Sequence, residues 1–183
     1  MMPISLGHIS VPLLALLFAV TQNHAATEGV SPQEAKWIEI KQPAHGFSAM
    51  FPKAPKINPL SSDDSSLSVY EYMAVSESGV YSIAVSEYPL NDPPAADEES
   101  YTETINDCAK ASSTNIRTRK SATIDGHKAV EAVLENAKHT SVYLLDVVIV
   151  RNRIYLLSSG GHAGHENSSD AIRFRDSFRI LSK

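Results

Sequence analysis

Residues 141–161, SVYLLDVVIVRNRIYLLSSGG, constrain the fold more than any other stretch of the chain. They form the longest apolar run beyond the N-terminus, rich in Val, Ile, Leu and Tyr, and broken only by Arg151, Asn152 and Arg153. Two β-prone runs on either side of a short polar break read as a β-hairpin. With Asn152 and Arg153 as loop residues, Asn supplying the positive φ of a tight turn, Arg151 pairs with Ile154 and Val148 with Leu157. Asp146 then faces Ser159. Both faces of the first strand are apolar, Val142, Leu144, Val148 and Val150 on one side and Tyr143, Leu145, Val147 and Ile149 on the other. Such a strand belongs at the centre of a sheet covered on both sides.

The remaining elements arrange themselves around that hairpin. Trp37, Ile38 and Ile40 begin an extended segment, and Phe47, Ala49 and Phe51 alternate in a second one before Pro52 and Pro55 stop the ladder. A proline-stiffened loop and a polar tip, SSDDSS at 61–66, follow. Residues 67–75 and 80–88 make a hairpin across a Gly-ended connection, and Pro89 closes it. Asp97, Glu98 and Glu99 sit where a helix N-terminus favours negative charge, with Lys110 near the far end. Tyr101, Ile105, Cys108, Ala109 and Ser112 make one stripe of that helix. Residues 116–124 and 128–134 form another hairpin about Asp125-Gly126, and a last helix runs from Ser168 or Ser169 to Phe178, with Ala171, Phe174 and Phe178 on one face. Strands, helix, strands, helix predicts an α+β fold, a single mostly antiparallel β-sheet flanked by helices, rather than a doubly wound parallel sheet.

The chain has 183 residues, enough for one domain with a real core. Its formal net charge of −5 opposes a general affinity for phosphate backbones, so nucleic acid is not an expected partner. Cys108 is the only cysteine, which excludes an intramolecular disulfide and a thiolate zinc site. The apolar stretch 9–20 gives way to polar and small residues up to Ala26, the architecture of a signal peptide. As a helix it spans only about 18 Å, short of the roughly 30 Å hydrocarbon core of a bilayer. The expected organisation is a signal peptide at 1–26, a polar leader at 27–36 and a single domain at 37–183. The signal departs from the usual pattern in having no Lys or Arg before Lys36. With no cysteine near the cleavage region, no lipid anchor is expected, and the mature chain is expected to be secreted or periplasmic without stable membrane insertion.

Trp37 followed by GFSAMFPKAPK, a hairpin ending in VSEYPL, an acidic helix, DGHKAVEAVLE, VVIVRNRIYLLSSGG and a closing FRDSFRIL together resemble the PsbP-like superfamily, which includes DcrB-like bacterial periplasmic proteins. The resemblance runs from Trp37 to Leu181, and it is the order of these structural motifs that carries it. It implies an α/β/α sandwich about an antiparallel sheet and a small non-enzymatic accessory or binding module. It brings no catalytic residues, and nothing in the chain points to a photosystem.

Three groups of residues are candidates for chemistry. In GGHAGHEN, His162, His165 and Glu166 lie close together in a glycine-rich loop, with Asp170 just beyond. Imidazole and carboxylate are ligands for zinc, copper or nickel. Their spacing on a loop does not fix geometry as a helical His-Glu-x-x-His does, so the plainer reading is a solvated connection. Asp146 is a carboxylate inside an apolar strand, costly if buried and unpaired, which makes Asp146 and Ser159 a candidate buried polar site met by His127, His139 or an arginine. No Gly-x-Ser-x-Gly elbow accompanies them. Tyr70, Tyr72, Tyr81 and Tyr88 are read as packing rather than a binding face, and Arg117, Arg119 and Lys120 as a solvated strand with both arginines on one face. The expected function is therefore an exported, non-catalytic binding or accessory module of the cell envelope, contacting a protein partner or a small ligand, without a cofactor. The alternative is a metal-binding protein or metal-dependent hydrolase that holds a divalent transition metal on His162, His165 and Glu166.

Overall fold

In a computed structural model of the protein, residues 36–60 and 67–181 are described. The expected signal peptide, nearly all of the polar leader and the SSDDSS tip lie outside them.

The central hairpin is β8 (Ser141–Val150) and β9 (Arg153–His162). Its loop is Arg151 and Asn152, one residue earlier than the sequence suggests, with Val150 opposite Arg153 and Ile149 opposite Ile154. Arg151, not Asn152, takes the positive φ, at 56°. Asn152 is held instead by tertiary bonds: its Nδ2 donates to the Tyr88 carbonyl at 2.7 Å and its own carbonyl accepts from the Tyr88 amide at 2.8 Å. Each partner moves by two residues, so the faces stay as expected while the pairs change. Asp146 faces Leu157, and Ser159 faces Leu144.

This hairpin lies inside a seven-stranded antiparallel sheet ordered β3-β4-β5-β9-β8-β7-β6. The other members are β3 (Lys56–Leu60), β4 (Ser68–Ser76), β5 (Gly79–Glu87), β6 (Thr114–Ile124) and β7 (His127–Asn136). β3 replaces the expected proline-stiffened loop. It starts beyond Pro55 and tolerates Pro59 because it is an edge strand with one side unpaired.

The expectation of a single sheet is also corrected. β1 (Ile38–Gln42) and β2 (Phe47–Phe51) form a separate three-stranded sheet with β10 (Arg179–Ile180). The last helix, α2 (Ser169–Asp176), accordingly stops before Phe178, and the chain pairs with β2 instead. A two-residue strand has too little periodicity to be seen in sequence, since pairing rather than pattern makes it.

Helix α1 (Glu98–Ala111) is capped by the Asp97 side chain, which accepts from the Ser100 amide at 2.9 Å. It buries Tyr101, Ile105, Cys108 and Ala109 on one face of the large sheet, against Leu145, Val147, Ile149, Leu156 and their neighbours. The small sheet and α2 cover the other face with an aromatic core: Phe47, Phe51, Tyr72, Tyr81, Tyr155, Phe174 and Phe178 are all at most 1% exposed. Many of the ring pairs in this core meet edge-on, as for Trp37 and Tyr81 at 5.4 Å and Phe51 and Phe174 at 5.2 Å, while Phe47 and Phe178 stack at 5.9 Å. Tyr72 and Tyr81 are thus packing residues, and Tyr70 lies against His45 at 4.1 Å between ring centres.

Candidate functional site

Register places charge across the inner part of the sheet. Lys120 on β6, Glu131 on β7 and Asp146 on β8 are direct cross-strand neighbours in one row, and Leu157 on β9 continues it. The row begins exposed at Lys120 and ends buried: Glu131 is 7% and Asp146 1% exposed. Two carboxylates side by side repel, so cations must meet them. Glu131 accepts from Lys120 Nζ at 2.8 Å and from Arg175 Nη1 of α2 at 2.6 Å, one on each oxygen.

Asp146 is less well served. Its Oδ1 is buried with no hydrogen-bond partner among the described residues. Burial is the main force raising its carboxyl to about 7; Arg175 and Lys120 pull it down and Glu131 and Asp176 push it up. The histidines expected to meet it go elsewhere. His139 Nδ1 lies 2.6 Å from Glu135 at the surface, and His127 begins β7 opposite Ile124. Arg175 is the residue that arrives.

The next row holds Thr118, Val133, Leu144 and Ser159. Beyond it Arg117 pairs with Glu135 at 3.2 Å and with Glu166. A β-bulge between Ile116 and Thr118 turns Arg117 to this side, while Arg119 pairs with Glu98 of α1 on the opposite face. The two arginines therefore do not share a face, because an inserted residue resets the alternation. Between the rows and α2 lies a cavity of about 320 Å³. Val133, Leu144 and Ile172 give it apolar surface, and Arg117, Glu166, Lys120, Glu131 and Arg175 its charges.

The three candidates of the histidine loop have different surroundings. His162 ends β9 opposite Ser141 and is exposed. His165 opens a 3₁₀ turn (His165–Asn167) and is buried at 7% exposure. Its ring lies in a slot over Gly161 and Gly79: a Cβ on Gly161 would come within 2.7 Å of His165 Nδ1, and one on Gly79 within 2.8 Å of Cε1. Gly160 leaves room for Tyr143 on the other face in the same way. At these positions the missing Cβ leaves room for a ring. Burial lowers the His165 pKa, against the nearby Asp170 and Glu166. Glu166 turns to Arg117; burial pushes its carboxyl up, but the Arg117 hydrogen bond and nearby backbone amides outweigh it and hold it below the usual range. Among the described residues no group of three or more His, Cys, Asp or Glu is placed to hold a metal ion.

Ser159 lies between Leu144 and Tyr81 with its Oγ unpartnered, and it is not paired with Asp146 as expected. Sequence reasoning missed Glu131 and Arg175. Glu131 interrupts the apolar run of AVEAVL as Asp146 interrupts its own, a signal that was there to be used. Arg175 follows Ala171 by four residues on the apolar stripe of α2, where a cation must find an acid.

No family model and no curated protein matches the chain. Solved structures do. Over 86% of this chain and 98% of the other, it superposes on cyanobacterial PsbP from Synechocystis sp. PCC 6803 with a TM-score of 0.58 at 11% identity. The fold is PsbP-like. A Pseudomonas aeruginosa protein of unknown function, described as a putative regulator, overlaps 72% of this chain and 86% of its own at a TM-score of 0.36 and 13% identity. At 11% identity the likeness to cyanobacterial PsbP is one of fold alone. The site must be argued from this chain's own residues.

Proposed function

We propose that this PsbP-like chain is an exported, non-catalytic binding module of the cell envelope, with the large sheet as the middle layer of an α/β/α sandwich. Its ligand site is the cavity between β6, β7, β8 and α2. One observation carries the reading: about 320 Å³ of half-open space is bordered by Val133, Leu144 and Ile172 and by charged side chains engaged in ion pairs. A concave site with a few convergent polar groups is the usual form of a small-molecule site.

The nucleophiles present favour binding over chemistry. Cys108 is buried on the inner face of α1 and its thiol is pushed up to about 12, so it is a packing residue at neutral pH. Ser159 Oγ has no hydrogen-bond partner among the described residues that could activate it. Export rests on residues 1–26, and no helix among the described residues is long and apolar enough to cross a membrane. The metal alternative would require His165 to leave its glycine slot and Glu166 to leave Arg117.

Native mass spectrometry of untagged protein from its own compartment tests the proposal. A bound small molecule, released on denaturation and lost in Thr118→Trp, which fills the cavity from the sheet edge, is the expected result. An adduct that survives the substitution, or none with the unaltered chain, would overturn it.

A further inference from the structure

The turn of the β8–β9 hairpin carries charge that the cavity beside α2 does not use. A second, smaller hollow of about 100 Å³ lies between this turn and the end of the small sheet, and it shares no lining residue with the first. Val150, Ile180 and Leu181 give it apolar wall, while Arg151, Arg153 and His127 supply N–H donors; no Asp or Glu lines it. The walls are fixed on both sides. Val150 sits opposite Arg153 in the ladder, and Asn152 between the two arginines is bonded twice to the Tyr88 backbone. Across the hollow the Ile180 amide donates to Asp125 Oδ2 at 2.7 Å and the Leu181 amide to the Gly46 carbonyl at 2.9 Å. The sign of the charge is the same however far the neighbours are counted. Arg153 gives both Nε and Nη2 to Glu87 at 2.7 Å, and Arg179 lies 3.8 Å from Asp125. With these included and His127 neutral, three arginines meet two carboxylates; in the lining alone, two arginines meet none. The unmatched cation is Arg151, whose side chain has no hydrogen bond or ion pair among the described residues.

We infer that this hollow is a second binding site and takes a short-chain monocarboxylate, its carboxylate on Arg151 and its alkyl stem against Val150, Ile180 and Leu181. A guanidinium is the natural partner of a carboxylate, and Arg151 is exposed at the mouth, where the charged end of such a ligand stays in reach of water. Arg153, already shared with Glu87, adds its field from the wall. Size sets the length of the stem. A closed apolar cavity of about 150 Å³ takes the ring of benzene, so about 100 Å³ encloses roughly four carbons. The walls also discriminate. Inorganic phosphate would leave Val150, Ile180 and Leu181 unmet, and an alkylammonium of the same length would meet Arg151 with like charge.

Amide chemical-shift titration of the full chain with butyrate, butylammonium and inorganic phosphate, all at one ionic strength, tests the inference. Butyrate is expected to shift residues 127, 150–153 and 180–181 and to saturate, butylammonium to shift none of them, and phosphate to bind roughly tenfold or more weakly than butyrate. Arg151→Ala removes a side chain that holds nothing else in place, and it is expected to weaken butyrate roughly tenfold or more with the rest of the spectrum retained. Lys110→Ala, an exposed cation of α1 on the opposite face of the large sheet, is expected to leave butyrate binding unchanged. No saturating shift with butyrate, equal shifts with butylammonium, or butyrate binding untouched by Arg151→Ala would overturn the site. Phosphate bound as tightly as butyrate, or an equal loss in Lys110→Ala, would overturn it too, since either reports charge without the apolar walls.

Discussion

Asp146 is where the chain departs most from what burial alone would choose. A carboxylate at 1% exposure with an unpartnered oxygen holds its proton to about 7, whereas in the unfolded chain it gives it up near 4. Between those limits the folded state binds more protons than the unfolded one, so Asp146 lowers stability as pH rises from about 4 to 7, with the full cost present above 7. Asp146→Asn should therefore raise stability at pH 8 by about 2 kcal/mol or more and leave it nearly unchanged at pH 4, as read from urea unfolding. His165 acts in the opposite sense. Its lowered pKa makes it lose stability as pH falls through the unfolded value near 6.5, so the comparison of variant with unaltered chain, not the bare pH profile, isolates Asp146. Gly161 supplies a second prediction. Gly161→Ala should cost about 1–3 kcal/mol because its methyl meets the His165 ring, and His165→Ala in the same chain should recover much of that loss.

Among the elements, α2 closes the cavity, and it is tied down at few points. Its cap is Ser168 Oγ, accepting from the Ala171 amide at 3.1 Å, its apolar anchor is Phe174, and its polar anchor is Arg175. Arg175→Met should leave Glu131 with Lys120 alone and Asp146 without its nearest cation, destabilising the fold by about 2–4 kcal/mol. Faster amide exchange concentrated in residues 169–176 would confirm that the loss acts through the helix. Elements with strong periodicity were legible in sequence: the β8–β9 hairpin, the β4–β5 hairpin and α1 all stand where alternation and capping put them. β3 and β10 were not. Both are made by pairing with a neighbour, β3 along the edge of β4 and β10 along β2, and neither carries a pattern of its own. The β8–β9 loop was placed one residue late because Asn152 was credited with a turn conformation, while its side chain is engaged with Tyr88.

At the level of the whole molecule, Asp146 was legible as a problem in need of a partner, and the partner was not. Arg175 is distant in sequence, and a one-dimensional pattern does not show that α2 crosses above the Lys120, Glu131 and Asp146 row. The histidine loop drew attention for its residue types, yet two of its three candidates are committed elsewhere, His165 to its glycine slot and Glu166 to Arg117. Export predicts a mature chain beginning at residue 26 or 27, which N-terminal sequencing of the secreted product checks; a chain retaining residues 9–20 would refute it.

Hydrogen exchange of the full chain, with and without the small-molecule extract of its own compartment, tests the cavity most directly. Slower exchange at 117–120, 131–133 and 165–175 is the result a ligand site between β6, β7 and α2 predicts. No change, or protection confined to the β3 edge at 56–60, would contradict it.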